Sequence, residues 1–158
     1  MGKKADIRLA VEDDLDDLVV YAERINDESS HDLTFDRDRA RQHLRMFVTL
    51  PGWDILLAEI DGRVVGGAMI AESFEFHRHP LCYVCKFWVM PCGRRSDAGR
   101  KLVKALIAWA EERKCSDIFV TATAGLDRIN QWLFIKLMSA AGFKQEGPVM
   151  KYEIAHRG

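Results

Sequence analysis

The residues with the clearest chemical potential form one short run, between a predicted strand and a predicted helix. The run is Val89-Met90-Pro91-Cys92-Gly93-Arg94-Arg95-Ser96-Asp97-Ala98-Gly99-Arg100-Lys101-Leu102. Its small residues let a ligand approach the backbone closely. The start of a helix offers unpaired N–H groups and the positive end of the helix dipole, a combination that binds phosphate. Because four cations (Arg94, Arg95, Arg100 and Lys101) also lie there, the run predicts a site for an anionic cofactor.

Two common nucleotide-binding motifs are missing from this run and from the rest of the chain. There is no GxxxxGK followed by Ser or Thr, which would cradle the phosphates of a nucleoside triphosphate, and no GxGxxG, which would bind a dinucleotide. The anionic cofactor must therefore be held by another kind of strand-to-helix loop.

A second group of chemically active residues lies just before the run. Four potential zinc ligands lie within nine residues: His77, His79, Cys82 and Cys85. However, Leu81–Val89 has the apolar, β-branched and aromatic character of a strand, in which residues three apart point to opposite faces. Cys82 and Cys85 would then diverge. Buried thiols that act as small hydrophobic side chains are the favoured interpretation, and a zinc-stabilised interaction domain remains the less favoured alternative.

Hydrophobic periodicity predicts the elements of the first half of the chain. A short strand at Ile7–Ala10 precedes an amphipathic helix whose apolar positions run from Val11 to Ile25. A second helix starts near Asp36 and stops before Pro51. Its arginines are predicted to form a solvated face rather than a binding surface. Strands at Asp54–Ile60 and Arg63–Ala71 follow, joined by Asp61-Gly62, which suits a type I′ hairpin turn.

The second half alternates strands and helices. The strand Leu81–Val89, a helix ending at about Lys114 and a strand at Ile118–Ala122 have the length of a βαβ crossover. A further helix ends at Gly142, in the position after the last helical residues that glycine favours. Two short extended pieces complete the prediction, around Phe143–Gln145 and Val149–Ile154.

The predicted order is β-α-α-β-β-β-α-β-α-β-β, which makes the chain a mixed α/β protein. We expect a central mixed sheet of about six to seven strands flanked by about four helices. A length of 158 residues is enough for one domain, with its core between about residues 6 and 154, and for a core that needs no disulfide or metal.

Composition excludes several functional classes. The 23 Lys and Arg residues balance 24 Asp and Glu residues, which argues against attraction of the whole molecule to nucleic acid or an anionic membrane. No apolar run approaches the roughly 20 residues of a membrane span, and Met1–Ala10 does not have the pattern of a secretory signal. The four cysteines are therefore expected to be reduced thiols. We predict a cytoplasmic protein that binds neither nucleic acid nor membrane, and these data leave a homodimer open.

The strand-to-helix run resembles the cofactor loop of a known family. Phe87-Trp88-Val89-Met90-Pro91 followed by Arg94-Arg95-Ser96-Asp97-Ala98-Gly99 is similar to the acetyl-coenzyme A loop of the GCN5-related N-acetyltransferases (GNAT), usually written Q/R-x-x-G-x-G/A. Arg94 and Gly99 fit the two ends of that pattern, and Asp97 stands where the central glycine is usual. The hairpin, the Ala141-Gly142-Phe143 helix end and the order of elements also match the family.

The resemblance implies acetyl transfer from acetyl-CoA to a primary amine of a small molecule or peptide, by direct attack in a ternary complex without a metal. In that interpretation the backbone N–H of Val89 polarises the thioester carbonyl, as in an oxyanion hole. The residues that the resemblance assigns to cofactor binding are Phe87, Trp88, Val89, Arg94, Arg95, Ser96, Asp97, Ala98, Gly99, Arg100 and Asn130. A binding module of the same fold that holds coenzyme A or a protein partner without turnover is the alternative.

The proton-transfer groups are less well defined by sequence. A general base is needed to deliver a neutral amine, directly or through water, and Glu72 and His77 are the leading candidates, with Glu75 and His79 beside them. The family often supplies the acid for the leaving thiolate from a tyrosine in the fourth helix, whereas Met138 occupies that position here. Tyr83 and Tyr152 are alternative proton donors.

Overall fold

The computed structural model describes residues 2–28, 34–121 and 128–147. The strands are β1 (Asp6–Leu9), β2 (Trp53–Ile60), β3 (Arg63–Ser73), β4 (Leu81–Val89) and β5 (Ile118–Val120), and the helices are α1 (Leu15–Glu28), α2 (Arg37–Thr49), α3 (Ala98–Glu112) and α4 (Arg128–Ala140). Short 3-10 turns precede α1 and α3. The predicted order is confirmed as far as α4.

The five strands form one sheet in the order β1-β2-β3-β4-β5. All neighbours are antiparallel except β4 and β5, which run parallel because α3 connects them. The sheet is thus smaller in the described residues than the six to seven strands predicted. Residues 143–145, predicted as extended, form no strand, and the predicted strand Val149–Ile154 lies outside the described residues.

The hairpin between β2 and β3 forms as its sequence predicts. Asp61 and Gly62 have φ values of 52° and 73°, and two consecutive positive values are what a type I′ turn requires. This turn fixes the register in which Ile60 pairs with Arg63. The hairpin places the long strand β3 in the centre of the sheet, beside β4.

The arginines of α2 are not simply a solvated face. Asp36 caps the helix, its side chain accepting a hydrogen bond from the Arg39 N–H at 3.0 Å. Three further arginines reach across to acids on α1 and the turn before it. These interhelical ion pairs are Arg37–Glu23 at 2.5 Å, Arg41–Asp16, and Arg45–Glu12 at 3.1 Å. They hold α1 and α2 side by side along their outer surface.

The sheet has a hydrophobic core on each face. α3 covers one face, where Leu102, Leu106 and Trp109 are buried against the central strands. α1 and α2 cover the other face, where Leu18 and Phe47 pack onto Met69 and its neighbours. Side chains of β3 alternate between the two cores, as successive residues of a strand must. Within the described residues, no helix is long and apolar enough to cross a membrane.

We expect Asp14→Asn to lower the free energy of unfolding by about 1 kcal/mol at neutral pH. Arg8 donates to both carboxylate oxygens of Asp14, at 2.8 and 2.7 Å, and to Glu59, which ties β1 to the start of α1. These hydrogen bonds hold the pKa of Asp14 below its usual value. A lowered carboxyl pKa stabilises the fold above the unfolded-state pKa, and this contribution is lost as pH falls through the folded-state pKa.

Denaturant unfolding at pH 7 and near pH 2.5 measures this contribution. The difference in the free energy of unfolding between the wild type and Asp14→Asn should disappear at the lower pH. The neighbouring Asp13 is exposed, and Asp13→Asn is a matched control that should change the stability little. An equal gap at both pH values would show that the ionised Asp14 does not stabilise the fold.

Candidate active site

The sheet opens between β4 and β5. These strands pair only at Cys82–Ile118, Tyr83–Phe119 and Val84–Val120 among the described residues. The pairing of β4 with β3 continues to Val89, but its register shifts after Val84, so that Met69 lies opposite Lys86 and Ile70 opposite Val84. Cys85 is the extra residue of this β-bulge, which bends β4 where it leaves β5. Among the described residues, the backbone of residues 85–89 has no strand partner on the side away from β3, and it forms a free edge beside a cleft.

The backbone N–H of Val89 points toward that free edge. The next residue, Met90, donates its N–H to the carbonyl of Val65 on the β3 side at 2.7 Å. Because successive N–H groups of a strand point in opposite directions, the N–H of Val89 is directed away from β3. Arg94 donates from Nε to the Val89 carbonyl at 3.3 Å, which agrees with that orientation. A donor is thus positioned toward the cleft, and it has no strand partner within the part of the chain that the structure describes.

A cavity of about 1070 Å³ follows the free edge of β4. Most of its wall comes from the side of α1 and α2 that faces the sheet, from residues 85–91, from the loop before α3 and the start of that helix, and from α4. Met69 of β3 and Thr121 after β5 also line it. This volume is at the upper end of the range for pockets that bind drug-sized ligands, roughly 300–1000 Å³. The cavity can therefore hold a long ligand or two ligands together.

Local hydrogen bonds shape the loop before α3. Ser96 donates from Oγ to the Gly93 carbonyl at 2.6 Å and accepts from the Ala98 N–H at 3.1 Å. A Cβ at Gly93 would lie 2.9 Å from Val65, so this glycine lets the loop approach β3. Gly99, in the first turn of α3, packs near Val89 and Leu137. Gly99 and Arg100 of the first α3 turn line the cavity, and N–H groups at the start of a helix generally lack intrahelical partners.

Two of the four cations in the loop border the cavity. Arg94 and Arg100 line it, whereas Arg95 is exposed and does not. Lys101 turns to the other side of α3, where it forms an ion pair with Asp97 at 3.3 Å and donates to the Ala5 carbonyl at 2.5 Å. The predicted cationic pocket therefore contains two arginines of α3 and its preceding loop, and Lys101 has a structural role.

Asp97 is directed toward the N-terminal strand rather than into the cavity. Its carboxylate accepts a hydrogen bond from the Ala5 N–H at 2.7 Å. That bond is the largest cause of a lowered pKa at Asp97, and Lys101 adds to it. The carboxylate at the usual glycine position thus anchors the segment before β1, and neither Asp97 nor Ala98 lines the cavity.

We expect Asp97→Gly, which restores the glycine of the family pattern, to leave the KM for acetyl-CoA unchanged within about twofold while lowering the Tm. The physical reason is that the substitution removes the partner of the Ala5 N–H and of Lys101 but removes no charge from the cavity wall. Steady-state kinetics and thermal unfolding measure the two effects. A tenfold fall in KM would mean that the carboxylate repels the bound phosphates. Asp97→Asn, which keeps an oxygen toward Ala5, should lose less stability.

The other residues assigned to cofactor binding lie on both sides of the cleft. Phe87, Trp88 and Val89 on β4, together with Ser96, Gly99 and Asn130, line the cavity with the two arginines. Phe87 meets Phe134 of α4 edge to face, with ring centroids 5.6 Å apart, so α4 closes the cleft on the side opposite to α1. Of the eleven predicted residues, Arg95, Asp97 and Ala98 are the three that do not line it.

The two candidate bases lie away from the cavity wall. The carboxyl group of Glu72 rests against Gly52, where a Cβ would come within 2.5 Å of its Oε1. His77 is exposed in the connection between β3 and β4, in which Glu75 accepts a hydrogen bond from the Tyr83 hydroxyl at 2.6 Å. Neither Glu72 nor His77 borders the free edge of β4. In this structure, either would have to act on an amine through water.

The alternative zinc ligands do not come together. No group of three or more His, Cys, Asp or Glu side chains that could hold a metal occurs in the described parts of the chain. Cys82 is fully buried, and burial raises the pKa of its thiol to about 12, as expected for a hydrophobic core cysteine. Cys85, at the bulge, lines the cavity instead.

Sequence patterns did not indicate how Trp88 is held. A Cβ at Gly67 would lie 2.5 Å from two ring carbons of Trp88, so the indole occupies the space above this glycine. Trp88 Nε1 is buried and has no hydrogen-bond partner among the described residues. The consecutive glycines Gly66-Gly67 inside an apolar strand were the available signal, since glycine in a strand often marks a close approach.

Comparison with solved structures identifies related folds. The chain is similar to the aminoglycoside N-acetyltransferase AAC(6')-Iy in complex with CoA (17% identity, 98% of this chain and 97% of that chain, TM-score 0.75). It is similar to a predicted acetyltransferase with acetyl-CoA from Clostridium acetobutylicum (17%, 94% and 96%, TM-score 0.74). It is also similar to the aminoglycoside acetyltransferase meta-AAC0020 from an uncultured soil metagenomic sample, in complex with sisomicin (19%, 96% and 97%, TM-score 0.71).

No curated protein sequence matches the chain. A family profile does match, that of the acetyltransferase (GNAT) family, over residues 16–134. This range begins in α1 and ends in α4, and it contains the opened β4–β5 pair and the loop before α3. The chain therefore belongs to the acetyltransferase (GNAT) family and is an acyl-CoA-dependent N-acyltransferase.

Proposed function

We propose that this protein transfers the acetyl group of acetyl-CoA to a primary amine of a small molecule, by direct attack in a ternary complex. The observation that carries the proposal is the free edge of β4, where the Val89 N–H is directed into a cavity that also receives the start of α3. The acetyltransferases of similar fold named above include enzymes bound to CoA and to an aminoglycoside. This supports a small-molecule acceptor.

The cavity wall has the groups that acetyl-CoA would need. The first turn of α3 offers N–H groups and a positive dipole end to a pyrophosphate, and Arg94 and Arg100 add charge. The free backbone of residues 85–89 can hydrogen-bond to the amide groups of the pantetheine arm, as a strand partner would. Asn130 lies at the same cavity and could contact that arm. These groups follow one another along the cleft, which supports an extended ligand.

The proposed reaction joins the acceptor nitrogen to the acetyl carbon and breaks the carbon–sulfur bond. Charge that develops on the carbonyl oxygen would be stabilised by the Val89 N–H, a fixed donor that needs no reorganisation. The nitrogen loses a proton and the coenzyme A thiolate gains one, so no other reactant is consumed. Because both substrates share one cavity, no acyl-enzyme is required.

The proton route in this proposal runs through water. Glu72 and His77 remain the proposed bases, each acting through bridging water because neither lines the cavity. Met138 is buried and has no acidic proton, Tyr83 does not line the cavity, and Tyr152 lies outside the described residues. In this proposal the thiolate is therefore protonated by the solvent or by the proton from the amine. Replacing Glu72 by Gln or His77 by Gln should then lower kcat modestly, because less of the bound amine would be delivered in its neutral form.

Release of free thiol from acetyl-CoA, measured with a panel of primary amines, tests transfer. Cofactor binding is tested separately by alkylation of the cysteines with iodoacetamide. Cys85 lines the cavity and should be protected by saturating acetyl-CoA, whereas the exposed Cys92 does not line it and should remain reactive. Protection of Cys85 without thiol release for any amine would favour a non-catalytic binding module. Equal alkylation with and without acetyl-CoA would overturn the assignment of the cleft.

A further inference from the structure

We propose that the acceptor is an apolar monoamine, in which one primary amino group is attached to a hydrocarbon body. The proposal rests on the proposed function and identifies the class of acceptor. It follows from the composition of the part of the cavity that lies between α1, α2 and the sheet, which we call the acceptor cleft. This region is formed by Leu18, Ala22, Phe35, Leu44, Met69 and Trp88.

The acceptor cleft has an apolar floor that is continuous with the hydrophobic core. Leu18, Leu44 and Met69 are exposed by only 2%, 5% and 5%, yet all three border the cavity. Trp88 adds an aromatic surface beside them, fixed above Gly67. A hydrocarbon body placed against these side chains would leave water and gain hydrophobic contact, whereas a second charged group there would lose its hydration.

Six charged residues of α1, α2 and the turn before α1 pair with one another on the outer surface. None of the residues in these three interhelical ion pairs lines the cavity. The side of the two helices that faces the sheet is mainly apolar, and the polar residues that also line the cavity are Asn26, Glu28 and His43. This arrangement is the one expected if the side facing the sheet contacts an apolar ligand as well as the core.

The charge of the cavity wall also disfavours a polycationic acceptor. Among the described residues that line the cavity, Glu28 is the one carboxylate, and Lys86, Arg94 and Arg100 are cations. Glu28 and His43 are exposed, at the rim of the acceptor cleft. Because Arg94 and Arg100 would be paired with the cofactor phosphates in the proposed complex, Lys86 is the described cation of the wall that would repel a further ammonium group, whereas the one carboxylate can attract one. A monoamine matches this arrangement.

A chain-length series tests the proposal on the wild-type protein. The acceptors are n-butylamine, n-pentylamine and n-hexylamine, each compared with the α,ω-diamine of the same chain length, and the readout is kcat/KM from thiol release. We expect kcat/KM to rise about threefold for each added methylene of the monoamines. At six carbons, the diamine should be at least about 30-fold poorer than the monoamine, because its second ammonium would enter the apolar cleft.

If the acceptor cleft is assigned correctly, a single substitution in it should reverse the preference for monoamines over diamines. Ala22 is half-buried on α1 and lines the cleft, so Ala22→Asp should lower kcat/KM for hexylamine and raise it for 1,6-diaminohexane. The wild-type series stands even if this variant does not fold. Diamines that are as good as or better than the monoamines would overturn the apolar acceptor while leaving acetyl transfer intact. Thiol release with none of these amines but with another primary amine of the panel would overturn this inference alone. Release with no primary amine at all, although acetyl-CoA still protects Cys85, would overturn the proposed transfer and this inference with it.

Discussion

The double substitution Arg94→Glu with Arg100→Glu is expected to raise the KM for acetyl-CoA by about 100-fold or more. Both side chains line the cavity at the start of α3, where the phosphates would lie. A hydrogen bond between charged groups is worth about 1.5–3 kcal/mol, and each substitution also introduces a negative charge beside the phosphates. The effect is measured by steady-state kinetics and by the loss of the thermal shift that acetyl-CoA causes in the wild type.

Arg95→Glu is the matched control for Arg94→Glu. The two arginines are adjacent and exposed, but only Arg94 lines the cavity. A general charge effect would weaken acetyl-CoA binding in both variants, whereas a specific site would be affected by the first alone. If the double variant keeps the wild-type KM, the cofactor loop is assigned to the wrong part of the chain. If Arg95→Glu weakens binding as much as Arg94→Glu, the cavity boundary is wrong.

The second large effect is expected at Gly67. A methyl group there would lie 2.5 Å from the Trp88 ring and 2.8 Å from the Leu56 carbonyl oxygen, distances at which a neighbour must move. Overpacking of this kind costs about 1–3 kcal/mol, so Gly67→Ala should lower the Tm by several degrees. Because Trp88 also forms a wall of the cavity, the substitution should raise the KM for the acceptor more than that for acetyl-CoA.

A double-mutant cycle separates the contact with Trp88 from the other consequences of the substitution. In a Trp88→Ala background the ring is absent, so Gly67→Ala should cost about 1 kcal/mol less than in the wild type. The contact with the Leu56 carbonyl persists in both backgrounds, and some cost remains. Strictly additive effects would mean that Gly67 does not hold the ring of Trp88 in place.

Local sequence patterns predicted the helices, strands and turns because these elements are determined largely by interactions between residues close in the sequence. The period of the apolar residues identified the helices and strands, and Asp61-Gly62 specified its turn through the φ values that these two residues accept. The cofactor loop was predicted for the same reason, since small residues and cations before a helix are visible in the sequence. Eight of the eleven residues assigned to cofactor binding accordingly line the cavity.

The β-bulge and the position of Trp88 could not be predicted in this way. Both depend on how β3 pairs with β4, and a register shift of one residue has no local signature in an apolar strand. The opening of the sheet, on which the proposed chemistry depends, therefore has no local signal in the sequence. The structure shows which residues are involved. Cys85 is the extra residue of the bulge, and Val89 directs its N–H to the free edge.

By itself, the sequence determined the order of elements as far as α4 and the family that the loop resembles, and it predicted a site for an anion before α3. Only the tertiary structure decided which of the charged residues there border the cavity. Asp97 accepts a hydrogen bond from the N–H of Ala5, 92 residues earlier in the chain, and Lys101 forms an ion pair with Asp97. Arg94 and Arg100 border the cavity instead. The acids and arginines of the three interhelical ion pairs likewise pair on the outer surface of α1 and α2, and the side that faces the sheet is mainly apolar. The sequence specifies which residues are charged, but packing between distant segments determines which partner neutralises each charge.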